Sequence, residues 1–151
     1  SGYSPLGAVI LSKEMSEVYE ESPVLLGLTY SGHVLSCAIA NNCIDLYTRD
    51  HCRLINSVQN KSNVLKNKCL EMLNTYDMIN DFRLNGLLGC FEFNLSNEEV
   101  GDLSKILLYN GIQCLTMRDK IFLAPPINCT HEFIVNTLEL MDELFYEYQK
   151  Y

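Results

Sequence analysis

The chain has 151 residues, 48% of them hydrophobic and 20% charged, with a formal charge of −8. A chain of this size favours one domain with a real core, since it buries roughly 70% of the surface that its unfolded form exposes. The acidic balance argues against a nucleic acid as main partner, because no basic stripe is present to neutralise phosphates, and no apolar run approaches the roughly 20 residues of a membrane helix.

The first element in chain order is Pro5–Leu11, a continuous apolar run bounded by turn residues. It predicts a strand buried on both faces, of the kind found inside a parallel sheet. No second strand of that kind follows nearby, so residues 1–32 are expected to be the tail of another domain. Ser12 is the expected N-cap of a short helix from Lys13 to about Glu20, which Ser22-Pro23 breaks. A loop with Gly27 and Gly32 comes next. Residues 33–49 are apolar on most faces and predict a largely buried helix. A second helix, over about 51–75, carries Leu54, Val58, Leu65, Cys69 and Met72 at helical spacing. Phe82 to Phe93 reads as a strand region with glycines at 86 and 89. Ser96 and Glu99 form a capping box, opening a helix that should end at Gly111. Two short strands, about 112–117 and 119–124, join through a tight turn at Arg118-Asp119, and Pro125-Pro126 stops the sheet. The last helix starts near Thr130 and carries an apolar stripe through Ile134, Leu138, Met141, Phe145 and Tyr148. From residue 33 the order is α-α-β-α-β-β-α, an α+β domain with helices packed on a short sheet. Glu139, Asp142, Glu143 and Glu147 read as a solvated helix face.

There are seven cysteines, an odd number, without the close pairing of a zinc site or of a thioredoxin-type redox pair. Cys37, Cys69 and Cys90 sit in apolar runs. Structural thiols in a reduced compartment are expected, hence an intracellular protein of the cytoplasm or an organellar matrix, with no metal site. No targeting segment is read at the N-terminus.

The chemistry concentrates in Thr29-Tyr30-Ser31-Gly32-His33, which runs into the apolar segment from Val34. Hydroxyls and a glycine stand where a loop turns into a helix. The first N–H groups of a helix have no intrahelical acceptor and the helix dipole favours negative charge there, so this junction is a candidate anion site. An ordinary capped loop is the alternative, and the residues alone leave both open.

Four segments carry a family resemblance. Ser1-Gly2-Tyr3-Ser4-Pro5-Leu6-Gly7-Ala8-Val9 resembles the stretch after the cofactor lysine of class III (omega-type) aminotransferases. Thr29–His33 resembles their Thr-Tyr-Ser-Gly-His-Pro motif. Arg83–Gly89 resembles their Arg-Gly-x-Gly-Leu-x-Gly turn, and Ile121–Pro126 the strand that ends in Pro-Pro. The four occur in the family's order and cover nearly the whole chain.

The resemblance implies an α/β fold: the small C-terminal α+β domain (33–151, with its interdomain helix) of a fold type I pyridoxal-phosphate enzyme. The last strand (5–11), short helix and linker of its large domain (1–32) would precede it. It implies transfer of an amino group between an amine or amino acid and a 2-oxo acid, with pyridoxal 5'-phosphate as cofactor. Thr29 and Ser31 fall on cofactor-binding positions, the threonine reaching the phosphate across a homodimer interface. His33 is read as a structural, hydrogen-bonded histidine. Val34 stands where the family has proline. Phe122 fills the register of an arginine that clamps a carboxylate, which shifts the expected substrate toward an amine or an ω-amino acid. Arg118 is a candidate for contacting a substrate acid. The Schiff-base lysine is expected upstream of Ser1, so no catalytic residue is assigned here and the chain alone is expected to be inactive; Lys13, Lys66 and Lys120 read as solvated charges. A related lyase or aminomutase, or a non-catalytic partner-binding domain, are the alternatives.

Overall fold

The computed structural model describes residues 3–23 and 27–150. Ser1 and Gly2 of the first motif lie outside them. The chain divides into two units, Ser1–His51 and Cys52–Tyr151.

In the first unit, α1 spans Lys13–Glu21, and the Met15 N–H donates to the Ser12 hydroxyl as the cap requires. The strand expected over 5–11 is not formed. These residues carry no regular structure, and Val9 and Ile10 are exposed. A strand exists through its ladder bonds, and the described residues place no partner beside this one. The helix expected over 33–49 begins at Val34, but it is not buried as expected: Val34, Leu35 and Ile44 are all exposed. An apolar helix face is buried only against a neighbour, and α1 buries no residue of its own.

The two helices expected around residue 50 are one, α2, running Val34–Thr75. The break is still marked, because Asp50, His51 and Cys52 are three consecutive left-handed residues with φ of 52°, 55° and 60°. Left-handed backbone costs an L-residue about 1–2 kcal/mol.

The second unit is an antiparallel sheet with its helices on one face. β1 (Ile79–Asn85) and β2 (Leu88–Phe93) form a hairpin; α3 (Asn97–Tyr109) follows; β3 (Leu115–Met117) and β4 (Lys120–Leu123) form a second hairpin; α4 (His131–Tyr148) closes the unit. The sheet order is β1-β2-β4-β3. Both hairpins have two-residue loops, and each opens on a left-handed residue, Gly86 (φ 61°) and Arg118 (φ 56°). That is the pattern of a type II′ turn, which glycine enters freely and arginine does not.

The capping box at Ser96 and Glu99 is complete: each side chain accepts the other residue's backbone N–H, at 3.3 and 2.8 Å. At the other end of α3, the Ile112 N–H reaches the Leu107 carbonyl and the Gly111 N–H the Leu108 carbonyl, at 2.9 and 3.0 Å, with Gly111 at φ 88°. This is a Schellman stop, which needs a left-handed residue beyond the cap.

The core lies on one face of the sheet. Phe82, Phe91, Phe93, Ile121 and Leu123 meet Leu65, Cys69 and Met72 of α2, Val100, Leu103 and Leu107 of α3, and Ile134, Leu138, Met141 and Phe145 of α4. Phe91, Phe93 and Tyr76 surround Phe145 with ring centroids 5.8–6.1 Å apart and near-perpendicular planes, the favoured edge-to-face arrangement. Burial pushes the Cys69 thiol up to about 12, so it is an inert packing group. Cys37 and Cys90 are only half-buried.

Asp142 is not part of a solvated acidic face. Its carboxylate accepts from Lys68 and from the Tyr76 hydroxyl, both at 2.7 Å, stapling α4 to α2. No helix among the described residues is long and apolar enough to cross a membrane.

Candidate functional site

The loop before α2 is two overlapping turns. The Ser31 N–H donates to the Leu28 carbonyl at 3.0 Å and the His33 N–H to the Tyr30 carbonyl at 3.2 Å. Gly32 sits between them at φ 66°, where a side chain would be strained. The first helical bond follows, from the Cys37 N–H to the His33 carbonyl at 2.9 Å.

His33 is the N-cap. Its Nδ1 accepts the Ser36 N–H at 3.3 Å, the bond that a serine or aspartate makes at this position in other helices. The Ser36 hydroxyl lies 3.0 Å from the same nitrogen and 2.7 Å from the Ser4 hydroxyl. Tyr30 packs edge-on to the imidazole, 5.8 Å between centroids. The structural role expected for His33 is therefore the one its contacts give it. The link to Ser4 is not visible in sequence, since the two serines are 32 residues apart.

Thr29 and Ser31 are exposed on these turns, which lead in sequence to the N–H groups of Val34 and Leu35 that open α2. Hydroxyl and main-chain N–H donors without an adjacent carboxylate are a donor set that suits phosphate oxygens. No lysine or arginine lies within residues 27–37, so the grip would come from dipoles and hydrogen bonds. Lys13, also in this unit, is an exposed partner of Glu17 at 3.8 Å.

Arg118 belongs to the second unit and is exposed in the β3–β4 turn. Its neighbour Lys120 is not a solvated charge: it bonds Asp119 at 2.8 Å and pairs with Glu92 at 3.3 Å. Lys66 is exposed. Lys61, which sequence reasoning did not single out, is buried and donates to the Ile127 carbonyl at 2.8 Å, holding the segment after Pro125-Pro126.

The helix-free face of the sheet carries two cross-strand rows. Arg83, Cys90, Phe122 and Leu115 form one, and Asp81, Glu92, Lys120 and Met117 the other. In the second, Glu92 accepts from Arg83 and Lys120, and Arg83 also pairs with Asp81 at 3.2 Å. Phe122 is thus half-buried on an open face, with an arginine two strands away on its own row. A separate cavity of about 360 Å³ opens among Leu65, Ile112, Cys114, Leu123, Phe133 and Met141. No Asp, Glu, Lys or Arg lines it; its polar side chains are Asn110, Gln113, Asn136 and Thr137. Among the described residues no three His, Cys, Asp or Glu side chains are grouped to hold a metal ion.

Comparison with known proteins gives consistent relatives. A family profile described as "Aminotransferase class-III" matches residues 1–145. Adenosylmethionine-8-amino-7-oxononanoate aminotransferase of Helicobacter pylori is 29% identical over 156 residues, which are 95% of this chain and 36% of that protein. Gamma aminobutyrate transaminase 3, chloroplastic, of Solanum lycopersicum is 32% identical over 167 residues, 99% of this chain and 30% of that protein. The chain thus spans about a third of the length of these curated relatives. The crystal structure of taurine:2-oxoglutarate aminotransferase from Bifidobacterium kashiwanohense, in complex with PLP and glutamate, shares the fold. Its TM-score is 0.84 at 24% identity, over 99% of this chain and 36% of that one.

Proposed function

We propose that this chain, which belongs to the class III aminotransferase family, forms the C-terminal part of a pyridoxal-phosphate enzyme that moves an amino group between an amine or ω-amino acid and a 2-oxo acid. Residues 1–32 then belong to the large domain and 33–151 to the small one. The observation that carries this reading is the Thr29–His33 turn, whose Thr29 and Ser31 hydroxyls precede the 42-residue helix α2. Pyridoxal phosphate, when bound, supplies the electron sink that amino-group transfer needs.

In this reading Thr29 and Ser31 donate hydrogen bonds to the phosphate, and the N–H groups of Val34 and Leu35 stabilise its charge through the helix start. Phe122 occupies the register where the family places a carboxylate-clamping guanidinium. A phenyl ring offers no donor, which favours substrates without a carboxylate at that end. Arg118 contacts a substrate acid. No lysine of this chain stands on a matched motif position, so none is assigned the bond to the cofactor. The enzyme works as a homodimer in the cytoplasm or an organellar matrix; an odd number of cysteines without close pairing agrees with a reducing compartment.

The test uses pyridoxine phosphate, which carries the phosphate but no aldehyde. Its addition should shift the backbone amide signals of Thr29–Ser36, and Thr29→Ala should weaken binding by about 1–3 kcal/mol, the scale of a hydrogen bond to a charged group. Equal affinity in wild type and variant would reduce Thr29 to a turn residue. With pyridoxal phosphate and borohydride, a stoichiometric adduct at one lysine of this chain would overturn the placement of the catalytic lysine.

A further inference from the structure

Ser36 is the one buried residue among the described residues of the first unit, at 5% exposure, in a segment whose apolar side chains are largely exposed. A serine in the first turn of a helix needs no burial to have its N–H capped, so its seclusion calls for another account. Its contacts give one. Because the Ser36 N–H can only donate, Nδ1 of His33 is an acceptor and holds no proton. The Ser36 hydroxyl, 3.0 Å from the same nitrogen, then donates to it as well. With its proton used, the Ser36 oxygen accepts from the Ser4 hydroxyl at 2.7 Å. The chain of donors runs Ser4 to Ser36 to His33, one way.

We infer that Ser36 is a positioning residue. It ties the segment around Ser4 to the Thr29–His33 loop as one body, and it holds the His33 ring with Nδ1 as the acceptor and Nε2 as the donor. The geometry of the link stands on these contacts alone; its consequence for phosphate binding rests on the function proposed above. A loop tethered from behind spends less entropy on closing around an anion. His33 fixed in this form offers a donor at Nε2 and no free base at Nδ1, so it is excluded from proton abstraction through that atom.

The test is carried out on this chain by NMR. In the wild type, long-range nitrogen–proton correlations should put the His33 proton on Nε2, and nuclear Overhauser contacts should join the Ser4 side chain to those of Ser36 and His33. Ser36→Ala should remove the Ser4 contacts, and Ser36→Thr, which keeps the hydroxyl, should restore them. Unchanged amide signals from residues 38–75 as well as 79–148 confirm that a variant is folded. If Ser36→Ala does not fold, Ser4→Ala cuts the same link from its half-buried end and should release its segment in the same way. Pyridoxine phosphate should bind Ser36→Ala about fivefold more weakly than wild type, the effect of losing one neutral hydrogen bond. A proton on Nδ1, Ser4 contacts that survive Ser36→Ala, or equal affinity in wild type and Ser36→Ala would each overturn the positioning role. Failure of wild type to bind pyridoxine phosphate at all would instead overturn the phosphate reading, and the proton position and the Ser4 contacts would still decide the link.

Discussion

Replacing Tyr76 with phenylalanine isolates the staple between α2 and α4. Tyr76 is buried, and its ring packs edge-on to Phe145, so the variant keeps the ring and loses only the hydroxyl. That hydroxyl lies 2.7 Å from a carboxylate oxygen of Asp142. A hydrogen bond to a charged group contributes about 1.5–3 kcal/mol. Asp142 and Lys68 keep 29% and 31% of their side chains exposed, and the Lys68 bond survives, so the low end applies, about 1.5 kcal/mol. For a unit of about 100 residues this lowers Tm by roughly 6–12 °C.

The pH dependence is the sharper check on the same pair. Burial opposes ionisation of Asp142, but the hydrogen bonds from Lys68 and Tyr76 outweigh it and hold the carboxyl below its ordinary value. A folded pKa lowered in this way adds stability that is complete above the unfolded value near 4 and is lost as pH falls through the folded one. Tyr76→Phe removes part of that shift, so urea melts between about pH 5 and pH 2 should show a shallower acid loss in the variant than in wild type. At the alkaline end, burial and then Asp142 raise the Tyr76 hydroxyl, so wild type also loses stability as pH rises above about 10 and the variant loses less. A cost below about 0.3 kcal/mol at pH 7, or the same cost at both ends of the acid range, would refute the idea that the partner is ionised Asp142.

Three further outcomes are expected. A methyl group at Gly89 would sit 3.2 Å from two ring atoms of Phe82 and 3.3 Å from Leu84, so Gly89→Ala should cost about 1–3 kcal/mol by overpacking; a urea midpoint equal to wild type would count against that crowding. Ser96→Ala should cost about 1 kcal/mol and speed amide exchange in the first turn of α3, measurable by hydrogen exchange. Because Arg118 sits at φ 56°, Arg118→Gly should melt higher than Arg118→Ala, by the equivalent of about 1 kcal/mol, and the reverse order would mean the turn carries no strain.

What could be read without coordinates was local. Ser12 and Ser96 each cap the helix expected of them, and the last helix starts near Thr130 as expected, because a cap is made by residues within three positions of one another. The stripe through Ile134, Leu138, Met141 and Phe145 is the buried side of α4, since helical period alone puts those side chains on one face. The Arg118-Asp119 turn and the stop at Pro125-Pro126 follow from equally short-range chemistry.

The failures share a different character. Pro5–Leu11 looks like a strand, but pairing is a property of two segments and one segment cannot reveal it. The apolar start of α2 looks buried for the same reason. Asp142 looks like a surface charge because its partner Tyr76 is 66 residues away in sequence, and the burial of Lys61 goes unread because the Ile127 carbonyl is equally far. At the candidate site the turn, its hydroxyls and the helix start were legible. The tether to Ser4 was not, and neither was the choice of His33 over a serine as the cap.

The two outer strands of the sheet decide how another chain can approach it. β3 is only three residues long, which leaves little backbone for an incoming strand to pair with. β1 is interrupted near its start, where Ile79 and Asp81 oppose the neighbouring Phe93 and Glu92 and Asn80 is the extra residue of a bulge. Both edges are therefore poor templates for strand addition. Growth of the sheet into a fibre, or capture of a loose strand, is discouraged at either side, and whatever associates with this sheet is steered toward its helix-free face instead.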